Sequence, residues 1–204
     1  MIFVPARTLH YWQGWAYIGT FAIAGSAYTV YLMRYDRALL RRRTEAGIAH
    51  EKERAQKVIV FCLYVAFVAL LALPPIDVRH GWSTVPWYVS LIGDALLAGS
   101  FYIFYLVSKV NTYAASSVRV EEGQKVISTG PYALVRHPMY LGAVVLVIGT
   151  PVALGSWWTL LLVPLFALIL YFRIANEEQV LARDLVGYRE YQRKVRHRLI
   201  PFIW

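Results

Sequence analysis

The sequence predicts an all-α integral membrane protein. Five transmembrane helices are expected, the last two forming a C-terminal helical hairpin, followed by an interfacial amphipathic helix. Three observations carry this prediction. The chain is 58% hydrophobic and 16% charged, whereas soluble domains sit near 45–50% and about 25%. Its uncharged runs recur at the length of about 20 residues that crosses roughly 30 Å of hydrocarbon. Its lysines and arginines fall almost wholly on alternate loops. The same composition excludes a disordered tail, a collagen-like chain and a disulfide scaffold. The single cysteine, Cys62, permits neither an intramolecular disulfide nor a CxxC metal site, and no metal site is expected.

Residues 11–33 carry no charge and form the first span, read as retained because no signal-peptide cleavage pattern precedes it. Residues 58–76 form the second, with Pro74-Pro75 expected to end it because proline cannot continue the hydrogen-bond ladder. Residues 86–107 form the third and contain one acid, Asp94. An acid within a span costs about 2.5–3.5 kcal/mol on insertion scales, so Asp94 is expected to pair or hydrogen-bond inside the bundle. Gly93, Gly99 and Ser100 beside it suit close helix packing. The uncharged stretch 138–172 is too long for one helix. Gly155-Ser156, followed by Trp157-Trp158 at the expected interface, divides it into spans 138–154 and 157–172. The chain, 1–204, reads as a single membrane domain.

Nineteen of the 21 basic residues lie in 34–57, 108–137 and the tail from 173, on one side of a five-span chain. By the positive-inside rule that side is cytoplasmic, which puts the N-terminus out and the C-terminus in, in a bacterial inner membrane or the endoplasmic reticulum. The net charge of +9 is thus a topology signal. Membrane lipids, not nucleic acid, are the expected partners; oligomeric state is not legible.

Polar residues concentrate in two of these segments. The first, NTYAASSVRVEEGQKVISTGPYALVRHPMY, runs from Asn111 to Tyr140. Its valines around Glu121-Glu122-Gly123 suggest a small hairpin or extended loop, and Pro138 suits the first turn of the following helix. In the second, from Arg173 onward, Ile174, Leu181, Leu185 and Tyr188 recur at near-helical spacing between charges, as in an amphipathic interfacial helix. Tyr188 and Tyr191 read as interfacial anchors.

The string GQKVISTGPYALVRHPMYLG, followed by R-x-x-x-EE and GYREYQRKVRHRLIPFIW, resembles the isoprenylcysteine carboxyl methyltransferase family, related to the phospholipid methyltransferases. The resemblance covers Asn111 to the C-terminus. It implies a donor site for S-adenosyl-L-methionine built from Gln124, Lys125, Val126, Ile127 and Tyr132, and completed by His137, Pro138, Met139 and Tyr140. It also implies a donor contact from the double glutamate, where spacing from the arginine points to Glu177 and spacing back from Gly187 points to Glu178. Arg173 matches an arginine of the acceptor side. Two features depart from the pattern: Val186 stands where a phenylalanine is usual, and the first half of the chain carries no acceptor signature.

Methyl transfer from a sulfonium needs alignment more than proton transfer. Arg173 or Arg136 can pair bidentately with an acceptor carboxylate, while Glu177 or Glu178 engages the donor. The implied reaction is carboxyl O-methylation of a prenylated cysteine or another small lipophilic acceptor that enters from the bilayer. The alternatives are N-methylation of a phospholipid amine, an NADPH-dependent membrane reductase and a non-catalytic lipid-binding protein. No GxG occurs, which excludes a Rossmann nucleotide domain. The bland readings are that Arg136 snorkels, His137 is a turn residue, the glutamates are solvated and Arg173 merely pairs with Glu177.

Overall fold

The computed structural model describes residues 2–44, 54–114, 120, 123–201 and 203–204. Among these there is no strand. The helices are α1 (Phe3–Ala6), α2 (Trp12–Tyr35), α3 (Arg37–Thr44), α4 (Arg54–His80), α5 (Trp87–Val110), α6 (Pro138–Ala153), α7 (Leu162–Asp184) and α8 (Tyr188–Lys194). Each predicted span is a helix. Four helical stretches, Trp12–Tyr35, Gln56–His80, Trp87–Val110 and Trp158–Asp184, are long and apolar enough to cross a membrane. The remaining one, α6, has 16 residues, about 24 Å at 1.5 Å per residue. It is apolar but shorter than the others, so five full crossings do not follow from length.

Several expectations are corrected. Pro74 and Pro75 do not end α4, which continues to His80 with both prolines inside it. Both side chains are fully buried, so packing offsets the donors that proline cannot supply. The amphipathic helix is not a separate element either. Residues 173–184 prolong α7 beyond the fifth span, and the chain breaks only at Leu185 before α8. Leu185 is already extended there, and Gly187 then turns the chain into α8 with a φ of 85° that side chains rarely adopt. The hairpin expected around Glu121-Glu122 lies largely outside the described residues, and 124–128 has no regular structure. Gly155, at φ 74°, does turn the chain between α6 and α7 as expected, and Pro138 opens α6.

Side-chain contacts show which helix ends meet. At one end, the Tyr11 hydroxyl donates to the Leu154 carbonyl. There the Asp77 carboxylate accepts from Ser83 and Ser156. At the other end, Arg43 reaches Ala114 and Met139, Gln56 reaches Arg173 and Asn176, and Arg136 reaches Glu178. The three basic segments therefore converge on one end of the bundle, where α3 lies against 112–114 through Arg42 and Arg43.

The tightest helix pairing is α5 against α6. A Cβ on Gly93 would stand 2.1 Å from the Ala153 nitrogen, and one on Gly149 would stand 3.0 Å from the Gly93 carbonyl oxygen. Gly99, by contrast, has nothing within 4 Å of its Cβ position and plays no part in close packing. Gly93→Val is expected to destabilise by at least the about 1–3 kcal/mol typical of overpacking, because the obstacle is backbone; thermal unfolding in detergent measures it. Asp94 is buried as expected, but among the described residues its carboxylate finds no ion pair.

Candidate active site

The site is built where α6 and α7 meet the segments on either side of them. Pro138 starts α6, which leaves His137 as its N-cap residue and sends Tyr140 inward one turn later. On α7, Arg173 and Glu177 are four residues apart and share a face, while Glu178 points to the neighbouring face. The Tyr140 hydroxyl donates to Glu177 Oε2 at 2.5 Å, and Arg173 Nε donates to the Tyr140 oxygen at 3.0 Å. Arg173 Nη1 donates to Gln56 Oε1 at 2.5 Å, and the Gln56 amide nitrogen donates to Asn176 at 2.6 Å. Arginine cannot accept, so the Gln56 carbonyl must face it. Arg173 is 3% exposed, and its fork is aimed by groups from α4 and α6.

Glu178 sits in a second network. Its Oε1 accepts from Arg136 Nε at 2.7 Å and lies 3.2 Å from His137 Nε2, and its Oε2 accepts from Arg198 Nε at 3.0 Å. Arg136 Nη1 donates to the carbonyls of Val195 and Arg196, both at 2.8 Å. The tail is stitched alongside by backbone bonds from Arg136 N to His197 O and from His137 N to Arg198 O, each 2.9 Å. Arg136 is buried, so it does not snorkel, and its guanidinium is occupied by the tail and Glu178.

These networks border a cavity of about 390 Å³, within the range of small-molecule sites. Of the candidate residues, Gln124, Lys125, Val126, Ile127, Tyr132, Arg136, His137, Met139, Tyr140, Arg173 and Glu177 all line it. Pro138 and Glu178 do not; Pro138 shapes the helix start and Glu178 stands behind the wall. Among its other lining groups are Arg43 of α3, Val60 and Leu63 of α4 and Phe104 of α5. Sequence reasoning missed these because they come from the half of the chain without a motif. Gln56, fully buried at the start of a span, carried a weak signal: a polar amide beside an apolar run. Tyr188 and Tyr191 were read as interfacial anchors but are buried cavity residues, because α8 folds back against the Tyr132 turn. The Tyr191 hydroxyl donates to the Tyr132 carbonyl at 2.7 Å.

Burial pushes the Tyr132 phenol up to about 12, opposed in part by the hydrogen bond from Asn111. Burial also raises the Tyr188 and Tyr191 phenols. All three stay neutral near pH 7 and remain donors. The Tyr188 hydroxyl is shut off from water with no hydrogen-bond partner among the described residues.

A comparison with known families now bears on this geometry. Residues 89–185 match the phospholipid methyltransferase family model. That family includes the isoprenylcysteine carboxyl methyltransferases, so the resemblance read from the sequence is borne out at family level. With its apolar helices, the chain is an integral membrane methyltransferase. The match covers α5 to the end of α7, and so takes in the RHPMY element and the double glutamate. It leaves out α3, α4 and α8, which supply the methyltransferase with Arg43, Gln56, Tyr188 and Tyr191.

Methyltransferases of this family generally use S-adenosylmethionine. The cavity fits such a group in chemistry. It offers apolar walls at Val126, Ile127, Leu181 and Leu185, a carboxylate at Glu177, and cations at Lys125 and Arg43. The orphaned Tyr188 hydroxyl is a donor without an acceptor, as expected where a polar ligand completes the site.

Proposed function

We propose that this methyltransferase transfers the methyl group of S-adenosylmethionine to the carboxylate of a lipophilic acceptor. The observation that carries the reading is the two-sided cavity wall: Arg173 and Glu177 share one cavity with Val60, Leu63 and Phe104 from the apolar helices. When bound, the donor supplies a sulfonium-borne methyl group open to in-line displacement, and an ionised carboxylate acceptor needs no general base. Arg173, aimed by Gln56 and Tyr140, holds the acceptor carboxylate. Glu177, fixed by the Tyr140 hydroxyl, faces the donor's cationic groups. Lys125, Tyr132 and Tyr188 hold the donor's polar periphery. Glu178 keeps Arg136, His137 and the tail in place behind the wall. The basic end of the bundle is the cytoplasmic one, so a polar donor arrives from the cytosol and the acceptor from the bilayer.

A second reading, N-methylation of a phospholipid amine, is favoured by the Glu177 carboxylate on the cavity wall, which suits an ammonium. Incubating the purified chain with methyl-labelled donor and total membrane lipid and protein separates the two. Base-labile label on a lipophilic acid supports the ester; base-stable label on a lipid amine replaces it with the second reading. No transfer together with no donor binding by calorimetry overturns both. Tyr188→Phe tests the donor site directly. Removing one neutral hydrogen bond of about 1 kcal/mol is expected to weaken S-adenosylhomocysteine binding roughly fivefold. The ligand-free chain is expected to unfold no more easily, since the hydroxyl has no partner among the described residues.

A further inference from the structure

Three arginines line the cavity, and each is answered differently. Arg136 is paired with Glu178. Arg173 is linked through the Tyr140 hydroxyl to Glu177. Arg43, from α3, meets no carboxylate among the described residues. Its Nη2 donates to the Ala114 carbonyl at 3.1 Å and to the Met139 sulfur at 3.0 Å, and its guanidinium lies 5.4 Å from the centre of the Tyr28 ring. A thioether and a ring face are weak partners for a full charge. Its Nε is shut off from water and makes no hydrogen bond among the described residues. Burial lowers its pKa from the ordinary value, opposed only by the phenols of Tyr28 and Tyr132. A partly buried guanidinium whose Nε is shut off from water, with that donor vacant among the described residues, is completed by an anion at lower cost than it is left alone.

We propose that Arg43 is the seat of a ligand carboxylate in this cavity, assigning a recognition role to the half of the chain outside the family match. The proposal rests on the reading that the cavity binds donor and acceptor. Two ligands could present that carboxylate: the amino-acid end of the methyl donor, or the lipophilic acceptor, whose carboxylate then lies on Arg43 in place of Arg173. The two share one chemistry, a planar anion taken by a guanidinium fork. Lysine keeps the charge but not the fork.

The test is binding, with no methyl transfer required. The detergent-purified full chain, Arg43→Gln and Arg43→Lys are each given two ligand pairs by native mass spectrometry and calorimetry. One pair is oleate and methyl oleate; the other is S-adenosylhomocysteine and its decarboxylated analogue. Wild type is expected to prefer the carboxylate form in at least one pair by roughly ten- to hundredfold, the range for a charge-assisted hydrogen bond. Arg43→Gln is expected to lose that preference while binding the carboxylate-free partner as wild type does, and Arg43→Lys to retain part of it. Loss in the oleate pair assigns the acceptor; loss in the adenosyl pair assigns the donor. The proposal is overturned if Arg43→Gln keeps both preferences, if wild type has none, or if the variant weakens all four ligands equally, as a structural role would. If wild type binds none of the four, the functional reading falls and takes this assignment with it. If wild type binds them but no methyl transfer is found, only the functional reading is lost.

Discussion

Replacing Glu178 by alanine is expected to destabilise the chain by about 3–5 kcal/mol, the usual consequence of removing one partner from a buried charge network. Glu178 is 5% exposed and Arg136 8%, so neither has water to fall back on. Its loss strands the Arg136 guanidinium, removes the partner of His137 Nε2 and frees Arg198, which ties the tail. Arg198 is partly exposed, so its share of the loss is small; the main cost falls on Arg136. Thermal and denaturant unfolding in detergent should show the large shift, with Glu178→Gln intermediate because it keeps an acceptor oxygen without the charge. Glu177→Gln serves as the contrast. Glu177 is less buried and accepts from Tyr140, so its amide should leave the unfolding midpoint nearly unchanged while lowering turnover. Equal destabilisation by both amides would sink the division of roles between these neighbouring glutamates.

Arg173→Lys is expected to lower turnover by roughly a hundredfold, as displacements of about 1 Å in an oriented site do, with S-adenosylhomocysteine binding within about twofold of wild type. The native guanidinium is held on two sides, by Gln56 at 2.5 Å and Tyr140 at 3.0 Å. Lysine offers a point charge on a flexible stem and cannot occupy both positions at once. Turnover at saturating donor, compared with calorimetry of the product, checks the split. A variant that keeps full turnover would remove Arg173 from the acceptor side, and one that loses donor binding would move it to the donor side. Gln56→Leu should reproduce part of the defect through orientation alone, since Gln56 meets Arg173 and Asn176.

Much of the fold could be read from the chain. Uncharged runs marked every long helix, and Gly155 and Pro138 marked a turn and a helix start. The boundaries failed where tertiary packing outweighed local preference. Pro74 and Pro75 look like a stop but lie buried within α4, and Arg173 looks like the beginning of an interfacial helix but lies midway along α7. Val186 departs from the family pattern without structural consequence, being 95% exposed. In the site, the RHPMY element and the double glutamate were legible because they are compact in sequence. Arg43 and Gln56 were not, since each sits in a segment whose composition has an ordinary explanation as basic loop or helix start.

The sequence by itself determined that this is an all-α membrane protein with its basic residues gathered on alternate loops, since hydrophobic length and charge are summed along the chain and need no partner. It also determined the motif at the start of α6 and the acids on α7. Only the tertiary structure decided how the acids divide. Adjacent residues on a helix point about 100° apart, so Glu177 borders the cavity while Glu178 turns back to Arg136 and the tail. The same packing brings α3 and α4 against the family segment and leaves Arg43 beside the cavity, partly buried and without a carboxylate among the described residues. That depends on which helix ends meet in space, an arrangement built from long-range contacts and not written in any local stretch of the chain.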